Sequence, residues 1–381
     1  MFEFKISKKA KGSLARAGVF KTPHGEIHTP VFMPVGTRAT VKTLSPEELK
    51  LLNAEIILAN TYHLMLRPGE KTVKKMGGLH KWMAWDRPIL TDSGGYQVFS
   101  LGQEKEGLAK VKIKEDGVEF YSHIDGSKHF ITPEKAIKIQ NDLGADVIMA
   151  FDECAPSTSS KKYFEEAMNR THDWLKKCEE THENTSKQAL FGIVQGGTHK
   201  SLRTKSAKFV ASMNLPGNAI GGLAIGEGQK TMLRMIETVI PHLPENKPRY
   251  LMGVGTPPDL FEAIDRGIDM FDCVLPTRLA RHAAFWTDKG LFHIKNSKYK
   301  TDPTPLQKNC TCYTCKTFSK SYLQHLMKES EILGHRLMTI HNLFFLLNLM
   351  REIRKNIEKG SFKKFKNSFL KKWTTKKKKK T

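Results

Sequence analysis

The stretch Asp146-Val-Ile-Met-Ala-Phe151 is short and mostly apolar, and the polar stretch Asp152-Glu-Cys154 follows it directly. Such a run is typical of a strand that is buried on both faces of a parallel sheet. Comparable runs occur at residues 31–35, 56–59, 88–91, 189–194, 219–224, 249–254 and 270–276. Polar or glycine residues end most of these runs, so eight buried parallel strands are expected.

Amphipathic helical patterns separate most of the runs. One opens at Thr132, has Pro133 in its first turn and extends to Leu143. Others cover residues 161–180, 201–213, 230–240 and 257–266. Strands that alternate with helices predict an α/β fold, a (β/α)8 TIM barrel over residues 31–360, with a doubly wound open sheet as the alternative. Residues 1–30 are expected to form N-terminal antiparallel strands that cap the bottom of the barrel, and residues 111–130 a small antiparallel excursion.

The chain is strongly basic, with 62 Lys and Arg against 39 Asp and Glu and a net charge of +23. Ten of the lysines lie in residues 361–381, which hold no acid, and the other residues keep a net charge of +13. This balance favours a polyanionic partner, nucleic acid before membrane, over a merely solvated lysine-rich surface. Residues 361–381 are predicted to be a disordered basic tail that strengthens RNA binding through counterion release, without specificity.

The apolar stretches of the sequence are too short to span a bilayer, and the N-terminus lacks the apolar core of a signal peptide. A cytoplasmic protein with no membrane attachment is expected. The scattered Cys154, Cys178 and Cys273 do not suggest a secreted disulfide framework.

The other three of the six cysteines form the cluster Cys310-Thr-Cys312-Tyr-Thr-Cys315. Three thiolates leave a tetrahedral zinc ion one ligand short, and His325, His335 and His341 are the candidates for the fourth position. A site of three cysteines and one histidine has no place for water, so the zinc would be structural. The alternative is three reduced cysteines without a metal. The zinc-binding subdomain would be an insertion at about residues 295–345 of the barrel.

Three carboxylates, Asp92, Asp152 and Asp272, stand at or within different predicted strands. The carboxyl ends of the strands of such a barrel converge on one face, where active sites lie. A carboxylate there can attack a sugar carbon or shuttle a proton, although capping a helix is an equal alternative for Asp92 and Asp152. Asp272 interrupts an apolar run, where a carboxylate without a partner is costly, and this favours a functional role.

Glycine pairs near the strand ends let the backbone approach a flat ligand closely; they are Gly94-Gly95, Gly196-Gly197 and Gly221-Gly222. None matches a dinucleotide or P-loop fingerprint, which argues against those cofactors. Gln195 could read a base edge, Tyr96 could stack on a base, and Arg278 and Arg281 could grip phosphate. Each of these side chains also has an ordinary structural interpretation.

Several motifs together resemble the bacterial tRNA-guanine transglycosylase (queuine tRNA-ribosyltransferase) family over about residues 10–360. They are Thr91-Asp-Ser-Gly-Gly-Tyr-Gln97, Phe151-Asp-Glu-Cys154, Val194-Gln-Gly-Gly197, Gly221-Gly-Leu-Ala-Ile-Gly-Glu227, Tyr250-Leu-Met-Gly-Val-Gly255, Phe271-Asp-Cys-Val-Leu-Pro-Thr-Arg278, and the three cysteines with His341. The resemblance implies a zinc-bearing (β/α)8 barrel. It also implies exchange of guanine at the wobble position of GUN tRNAs (Asp, Asn, His, Tyr) for 7-aminomethyl-7-deazaguanine (preQ1), through a covalent aspartyl intermediate, in queuosine biosynthesis.

The resemblance also assigns roles to individual residues. Asp272 would be the nucleophile, and Asp92 the general acid and base. The base pocket would comprise Asp92, Ser93, Gly94, Gly95, Tyr96, Asp152, Gln195, Gly222, Leu223 and Met252. The RNA-binding segments would comprise Gly253, Val254, Gly255, Thr256, Pro257, Pro258, Asp259, Thr277, Arg278, Leu279, Ala280 and Arg281. One structural zinc per chain would be held by Cys310, Cys312, Cys315 and His341.

Substrate choice and assembly complete the expectations. Cys154 and Ile225 resemble bacterial members, and the branched Ile225 would obstruct the cyclopentenediol of queuine; the same reaction with queuine is the alternative. A non-catalytic tRNA-binding subunit is a further alternative, which the presence of both Asp92 and Asp272 disfavours. The resemblance implies a homodimer with the zinc region at or near the contact. The sequence Phe344-Phe345-Leu346-Leu347 is expected to leave apolar surface exposed for it.

Overall fold

Eight parallel strands close into a barrel in the computed structural model, which describes residues 2–102 and 111–374 of the chain. The strands of these residues are β1 (Phe4–Lys9), β2 (Arg16–Thr22), β3 (Gly25–Thr29), β4 (Val31–Gly36), β5 (Ile57–Ala59), β6 (Ile89–Thr91), β7 (Lys112–Lys114), β8 (Gly117–Tyr121), β9 (Lys128–Ile131), β10 (Val147–Met149), β11 (Ala189–Val194), β12 (Gly217–Ile220), β13 (Arg249–Leu251), β14 (Met270–Cys273), β15 (Ala284–Thr287) and β16 (Gly290–His293). The order around the barrel is β4, β5, β6, β10, β11, β12, β13, β14, and β14 pairs with β4 to close it. The predicted barrel is confirmed, and the open sheet is excluded.

The α-helices of the same residues are α1 (Pro46–Leu51), α2 (Thr61–Leu66), α3 (Glu70–Lys75), α4 (Gly78–Met83), α5 (Gly95–Gly102), α6 (Pro133–Leu143), α7 (Lys161–Thr181), α8 (Lys200–Ser212), α9 (Gln229–Val239), α10 (Pro257–Asp265), α11 (Leu275–Arg281), α12 (Tyr313–Thr317), α13 (Lys320–Lys328), α14 (Ile332–Glu358) and α15 (Phe362–Thr374). Short 3-10 helices lie at Ile240–His242 and Ser297–Tyr299. The start predicted for α6 is confirmed, since the Thr132 side chain accepts a hydrogen bond from the backbone N–H of Lys135. Within the described part of the chain, no helix is long and apolar enough to cross a membrane.

An antiparallel sheet of β1, β2 and β3 covers the end of the barrel where its strands begin, as predicted. The buried Arg16 of β2 pairs with Asp269, which stands just before β14; its Nη2 lies 2.6 Å from Asp269 Oδ2. Phe20 packs on Phe191 of β11 with ring centroids 5.9 Å apart. Strands β7, β8 and β9 form the predicted antiparallel excursion. These contacts close the bottom of the barrel and leave the opposite end, at the carboxyl ends of the strands, for the site.

Helix α14 carries His341 in its first half and packs against β4 of the barrel and against α11. The prediction that its run Phe344–Leu347 leaves apolar surface exposed is wrong, because Phe345, Leu346 and Leu347 are buried within the chain. Phe345 lies against Trp286 of β15, with ring centroids 6.4 Å apart. The helix covers the barrel where β14 meets β4, so its apolar surface has a partner inside the same chain.

The prediction of a disordered tail from residue 361 is wrong for residues 362–374, which form α15. Phe362 and Phe369 are buried, and Phe365 is half-buried. These three side chains recur at the spacing of one helical face, so they can pack together on the barrel. The prediction of disorder followed from the many lysines of the segment and did not take this apolar periodicity into account. Residues 375–381, the rest of the predicted tail, lie outside the described residues.

Candidate active site

Five of the predicted site residues stand at the carboxyl ends of barrel strands. Asp92 follows β6, Asp152 comes shortly after β10, Gln195 follows β11, Gly222 follows β12, and Asp272 lies in β14. Because all eight strands are parallel, these positions share one end of the barrel. The structure brings the three carboxylates close enough for the charges of Asp272 and Asp152 to act on Asp92.

Asp92 is held by the loop after β5. Its Oδ1 accepts the backbone N–H of Thr61 at 2.9 Å and that of Gly94 at 3.2 Å, and Asn60 Nδ2 donates to Oδ2 at 2.5 Å. Burial, helped by the negative charges of Asp272 and Asp152, raises the pKa of Asp92 to about 7, while the bonds from Thr61 and Gly94 oppose the shift. This carboxyl group can therefore gain or lose a proton near neutral pH.

Asn60 had no predicted role, although it is the first polar residue after β5. Its Oδ1 accepts the backbone N–H of His63 at 3.1 Å and so caps α2. This cap orients the amide so that Nδ2 points at Asp92. The only sequence signal for this residue was its place at a strand end.

Two hydrogen bonds from other residues of the described part of the chain reach the Asp272 side chain, and both end on Oδ1. Tyr250 Oη donates to Asp272 Oδ1 at 2.6 Å, and the backbone N–H of Gly253 donates to the same oxygen at 2.7 Å. Among the described residues none donates to Oδ2, and the side chain is only partly buried. Burial raises the pKa of Asp272, and the bonds from Tyr250 and Gly253 oppose that shift. In the sequence Tyr250 falls in the apolar run 249–254, which predicts a buried strand and no catalytic role for this side chain.

Asp152, Gln195 and Ser93 form a connected polar group. Gln195 Nε2 donates to Asp152 Oδ2 at 2.7 Å, and Ser93 Oγ donates to Asp152 Oδ1 at 3.4 Å. Burial raises the pKa of Asp152 to about 6, against the effect of the bonds from Gln195 and Ser93. A buried carboxylate beside an amide complements a ligand that presents both hydrogen-bond donors and an acceptor on one edge.

Two glycines of the predicted pocket have no room for a side chain. A Cβ at Gly222 would lie 2.4 Å from Gln195 Oε1, and a Cβ at Gly95 would lie 2.7 Å from the backbone oxygen of Asp152. Gly222 also has a φ of +61°, in the left-handed region. Gly94 also has a left-handed φ, +81°, and a Cβ there would lie 3.1 Å from the backbone nitrogen of Tyr62, which is tight but less severe.

Arg203 of α8 was not predicted from the sequence, where it reads as a surface charge. It is fully buried, and its guanidinium donates to the backbone oxygens of Gly197 at 2.7 Å, Val194 at 3.0 Å, Gly221 at 2.8 Å and Gly222 at 3.0 Å. Burial lowers its pKa to about 10. One side chain thus fixes the two loops after β11 and β12 that carry the predicted pocket residues.

A cavity of about 390 Å³ adjoins Gly222. Its lining includes Phe164, Ile225 and Glu227. The Glu227 carboxylate accepts the backbone N–H groups of Ala224 at 2.5 Å and Ile225 at 3.0 Å. The predicted pocket therefore continues into a space whose lining combines the apolar Phe164 and Ile225 with the opposite charges of Glu227 and Arg234.

The remaining predicted pocket and RNA-binding residues differ in accessibility. Leu223 is buried, Met252 is partly buried and Tyr96 is half-exposed. The predicted RNA-binding residues that the solvent reaches are Gly253, Thr256, Pro258, Asp259, Arg278, Leu279 and Arg281. The buried ones are Val254, Gly255, Pro257, Thr277 and Ala280, which shape the backbone instead of offering side chains to a ligand. The two segments follow the neighbouring strands β13 and β14, so they lie side by side.

The four predicted metal ligands lie together. His341 Nδ1 is 3.8 Å from Cys310 Sγ, 3.6 Å from Cys312 Sγ and 3.3 Å from Cys315 Sγ. Zinc bonds of about 2.3 Å to sulfur and about 2.0 Å to nitrogen, at tetrahedral angles, separate those atoms by about 3.5 Å. The donor set therefore fits a zinc ion, and His341 joins it in preference to His325 or His335.

The second ring nitrogen of His341 supports the same interpretation. His341 Nε2 lies 2.8 Å from the backbone oxygen of Trp286, which can only accept a hydrogen bond. Nε2 therefore carries a proton, and in the neutral ring the Nδ1 lone pair faces the three sulfurs. Histidine ligands in metal sites are commonly oriented in this way.

Comparison with known proteins gives one family. The family model described as "Queuine tRNA-ribosyltransferase" matches residues 11–375. A protein named Queuine tRNA-ribosyltransferase from Caldanaerobacter subterraneus subsp. tengcongensis is 55% identical over 371 residues, 97% of this chain and 97% of the relative. Proteins of the same name from Macrococcus caseolyticus and Fusobacterium nucleatum subsp. nucleatum are 56% and 54% identical, over 95% of this chain and 94% and 96% of their own lengths.

Proposed function

This chain belongs to the queuine tRNA-ribosyltransferase family of pentosyltransferases, and we propose that it exchanges guanine at the anticodon wobble position of GUN tRNAs (Asp, Asn, His, Tyr) for preQ1 through an ester on Asp272. The observation that carries the proposal is the pair of carboxylates Asp92 and Asp272. They share one end of the barrel, the negative charge of Asp272 raises the pKa of Asp92, and the two carboxylates have different hydrogen-bond partners.

Asp272 is the proposed nucleophile. Tyr250 and Gly253 both donate to Oδ1, so the ionised carboxylate has Oδ2 available for attack. In the first step the bond between Oδ2 and C1′ of the ribose forms while the glycosidic bond breaks. The electron pair of that bond leaves with guanine.

Asp92 is the proposed general acid and base. With a pKa of about 7 it can hold a proton at neutral pH, and it gives this proton to the departing guanine. The resulting carboxylate then takes the ring N–H proton of the incoming base. That base attacks C1′, and the Asp272 carboxylate leaves. Two inversions at C1′ give overall retention, and each step balances without a cofactor.

The group formed by Asp152, Gln195 and Gly222 is the proposed base pocket. Guanine and 7-deazaguanines carry N–H donors and a carbonyl acceptor on one edge. The Asp152 carboxylate suits the donors, and the Gln195 amide suits the acceptor. Arg203 supports this reading because it fixes the backbone at Gly222, one wall of the pocket. Tyr96 and Met252 are proposed to stack on the two faces of the base.

The choice of preQ1 rests on the cavity beside Gly222. Ile225 occupies its wall and leaves less room for a cyclopentenediol than a smaller residue would. Glu227 lines the same cavity and can pair with the ammonium group of an aminomethyl substituent. Queuine is the alternative base for the same reaction.

The proposed metal is one structural zinc ion per chain at Cys310, Cys312, Cys315 and His341. When bound, it would tie the loop before α12 and the start of α12 to α14, and it would contribute to folding. No step of the proposed exchange uses it.

A homodimer is proposed on the exposed side chains of the same subdomain. Tyr313 is 57% exposed, Tyr322 40% and Ile332 79%, so three large side chains of this subdomain present surface to a partner. The proposed dimer contact therefore uses these three side chains and not the run 344–347 of α14, which is mostly buried.

The proposal is tested by incubating the purified protein with radiolabelled guanine and unmodified tRNA(Asp). Incorporation of label at the wobble position, and its release on addition of preQ1, is the expected result. A tRNA-binding subunit without catalysis would bind the tRNA and incorporate no label.

A further inference from the structure

Helix α15 is attached to the barrel by an apolar face. The rings of Phe362, Phe365 and Phe369 surround Phe261 of α10, with centroids 6.5, 5.5 and 4.9 Å from it. Phe369 in turn stacks on Trp373 at 5.7 Å. The apolar side of the helix is therefore already covered by the chain itself.

A buried lysine adds a polar attachment. Lys366 Nζ lies 2.9 Å from Glu262 Oε2 and 2.6 Å from Asp265 Oδ2, both on α10. The Lys366 side chain is 10% exposed, so these pairs are shielded from water and salt. They hold the helix at one position along α10.

The opposite face of α15 is basic. Lys363, Lys364, Lys371 and Lys372 are exposed, and the two pairs are about two helical turns apart, so they lie on the same side. No acid occurs in residues 359–381, and five more lysines follow at 376–380. The outward face of the helix is thus a row of positive charge with no acid in its own segment.

The helix points toward the catalytic end of the barrel. Its first half pairs with Asp265, the last residue of α10, at the end of the barrel covered by the N-terminal sheet. The helix also contacts β16, in the hairpin that follows α11, and α11 begins where β14 ends. Its 13 residues span about 20 Å. Lys371 and Lys372 therefore lie further toward the end that carries Asp272 than Lys363 and Lys364 do.

We propose that the exposed face of α15 is a second tRNA-binding surface, which contacts backbone phosphates of the same tRNA whose anticodon occupies the active site. The inference rests on the proposed function for the identity of the RNA. The exposed face carries four lysines with Asn367 and Ser368 between the two pairs and no aromatic side chain, so cationic groups that suit phosphates dominate it. A membrane surface is not the partner, because a helix that binds a bilayer needs its apolar face free, and here Phe261 occupies it.

The test uses the full chain and two charge-matched variants. Lys364→Glu/Lys372→Glu reverses two exposed lysines of α15. The control, Lys71→Glu/Lys138→Glu, reverses two exposed lysines on α3 and α6. Helix α6 lies between β6 and β10, on the far side of the barrel from α10. Dissociation constants for unmodified tRNA(Asp) are measured from about 50 to 200 mM salt, a range over which phosphate contacts change affinity strongly.

The α15 variant is expected to bind tRNA about tenfold more weakly at low salt, and its slope of log affinity against log salt should fall by about 2, near 0.9 for each lost phosphate contact. The control should stay within about twofold of wild type, since both variants change the net charge equally. If both variants bind tRNA equally weakly, net charge alone explains the loss of affinity and the proposal is overturned. Unchanged tRNA binding by the α15 variant would also overturn the proposal. So would an α15 variant that binds tRNA normally but no longer binds phosphatidylserine vesicles.

Guanine exchange separates this proposal from the function on which it rests. If wild type binds tRNA through α15 but exchanges no guanine, the proposed function is wrong and the proposal of a tRNA-binding surface on α15 is kept. If wild type exchanges guanine and the α15 variant binds tRNA as tightly, only the surface fails. At saturating tRNA the α15 variant is expected to keep the wild-type kcat.

Discussion

The hydroxyl of Tyr250 donates a 2.6 Å hydrogen bond to Oδ1 of Asp272, across the neighbouring strands β13 and β14. The bond leaves Oδ2 as the oxygen that can attack, and burial raises the pKa of Tyr250 well above 10, so the phenol remains a donor at all working pH values. The carboxylate is therefore fixed in orientation by a group that does not itself titrate.

Replacement of Tyr250 by Phe should slow exchange and leave base binding intact. Loss of one hydrogen bond to a charged group costs about 1.5–3 kcal/mol, which corresponds to a fall in kcat of about 10- to 100-fold. The KM for guanine should change less than about twofold, since Tyr250 does not belong to the base pocket. Steady-state exchange of labelled guanine measures both constants; an unchanged kcat would remove Tyr250 from the mechanism.

The pH profile of kcat/KM for tRNA should be bell-shaped. Asp92 must be protonated to release guanine, and its pKa is about 7, so the rate should fall about tenfold per pH unit above neutrality. Asp272 must be ionised, so the rate should also fall in acid. Tyr250 lowers the pKa of Asp272; Tyr250→Phe should therefore move the acid limb to higher pH and leave the alkaline limb in place. Movement of both limbs together would contradict these two assignments.

Replacement of Cys312 by Ala should remove the zinc and destabilise its subdomain. The Cys312 sulfur is buried, and it also accepts the backbone N–H of Cys315 at the start of α12. Structural zinc contributes on the order of 10 kcal/mol of binding free energy in small domains, so its loss should be visible in thermal unfolding. Cys178→Ala, which alters a buried cysteine outside the cluster, should keep one zinc by elemental analysis. Zinc loss from Cys312→Ala with unchanged unfolding would make the site peripheral.

Replacement of Ile225 by Gly should admit queuine. Removal of the side chain enlarges the cavity beside Gly222, and a single methylene group at an apolar pocket wall is worth about 10- to 200-fold in discrimination. The KM for queuine should fall by that order while the KM for preQ1 stays near wild type. Competition of the two bases against labelled guanine gives the ratio. If wild type already accepts both bases equally, Ile225 does not select the substrate.

Replacement of Tyr322 by Glu should shift a dimer toward monomer. A charge on this exposed aromatic of the zinc-binding subdomain would be desolvated at the proposed contact, which is costly. Sedimentation at several concentrations should show a dissociation constant at least about tenfold higher. Tyr121→Glu, at a similarly exposed tyrosine of β8, is the control and should leave assembly unchanged. A wild type that is monomeric and fully active at all concentrations would end the dimer proposal.

The barrel and part of the candidate site could be predicted from the sequence. Apolar runs and helix caps are local signals, so the strands and α6 could be located before any contact was known. Asp272 stood out because a carboxylate is costly in an apolar strand. Tyr250 and Arg203 did not, because their roles come from contacts with other strands and loops. Tyr250 has the composition of a core residue, and Arg203 that of a solvated helix face.

The two errors about apolar surface have the same origin. Phe345 is predicted to be exposed and the α15 segment to be unstructured. Both predictions fail because the sequence of a helix does not show which neighbouring element will cover its apolar face. Trp286 covers Phe345, and Phe261 covers α15, and both partners lie far away in sequence.

The covalent intermediate is tested most directly by trapping it. Wild-type protein is mixed with tRNA(Asp) in the absence of free base, denatured, digested and analysed by mass spectrometry, with Asp272→Asn in parallel. The peptide containing Asp272 should carry the ribose of the wobble nucleotide, and the Asp272→Asn protein should be folded, bind tRNA and give neither adduct nor exchange. An adduct on another residue, or exchange by Asp272→Asn at a rate near that of wild type, would contradict the account.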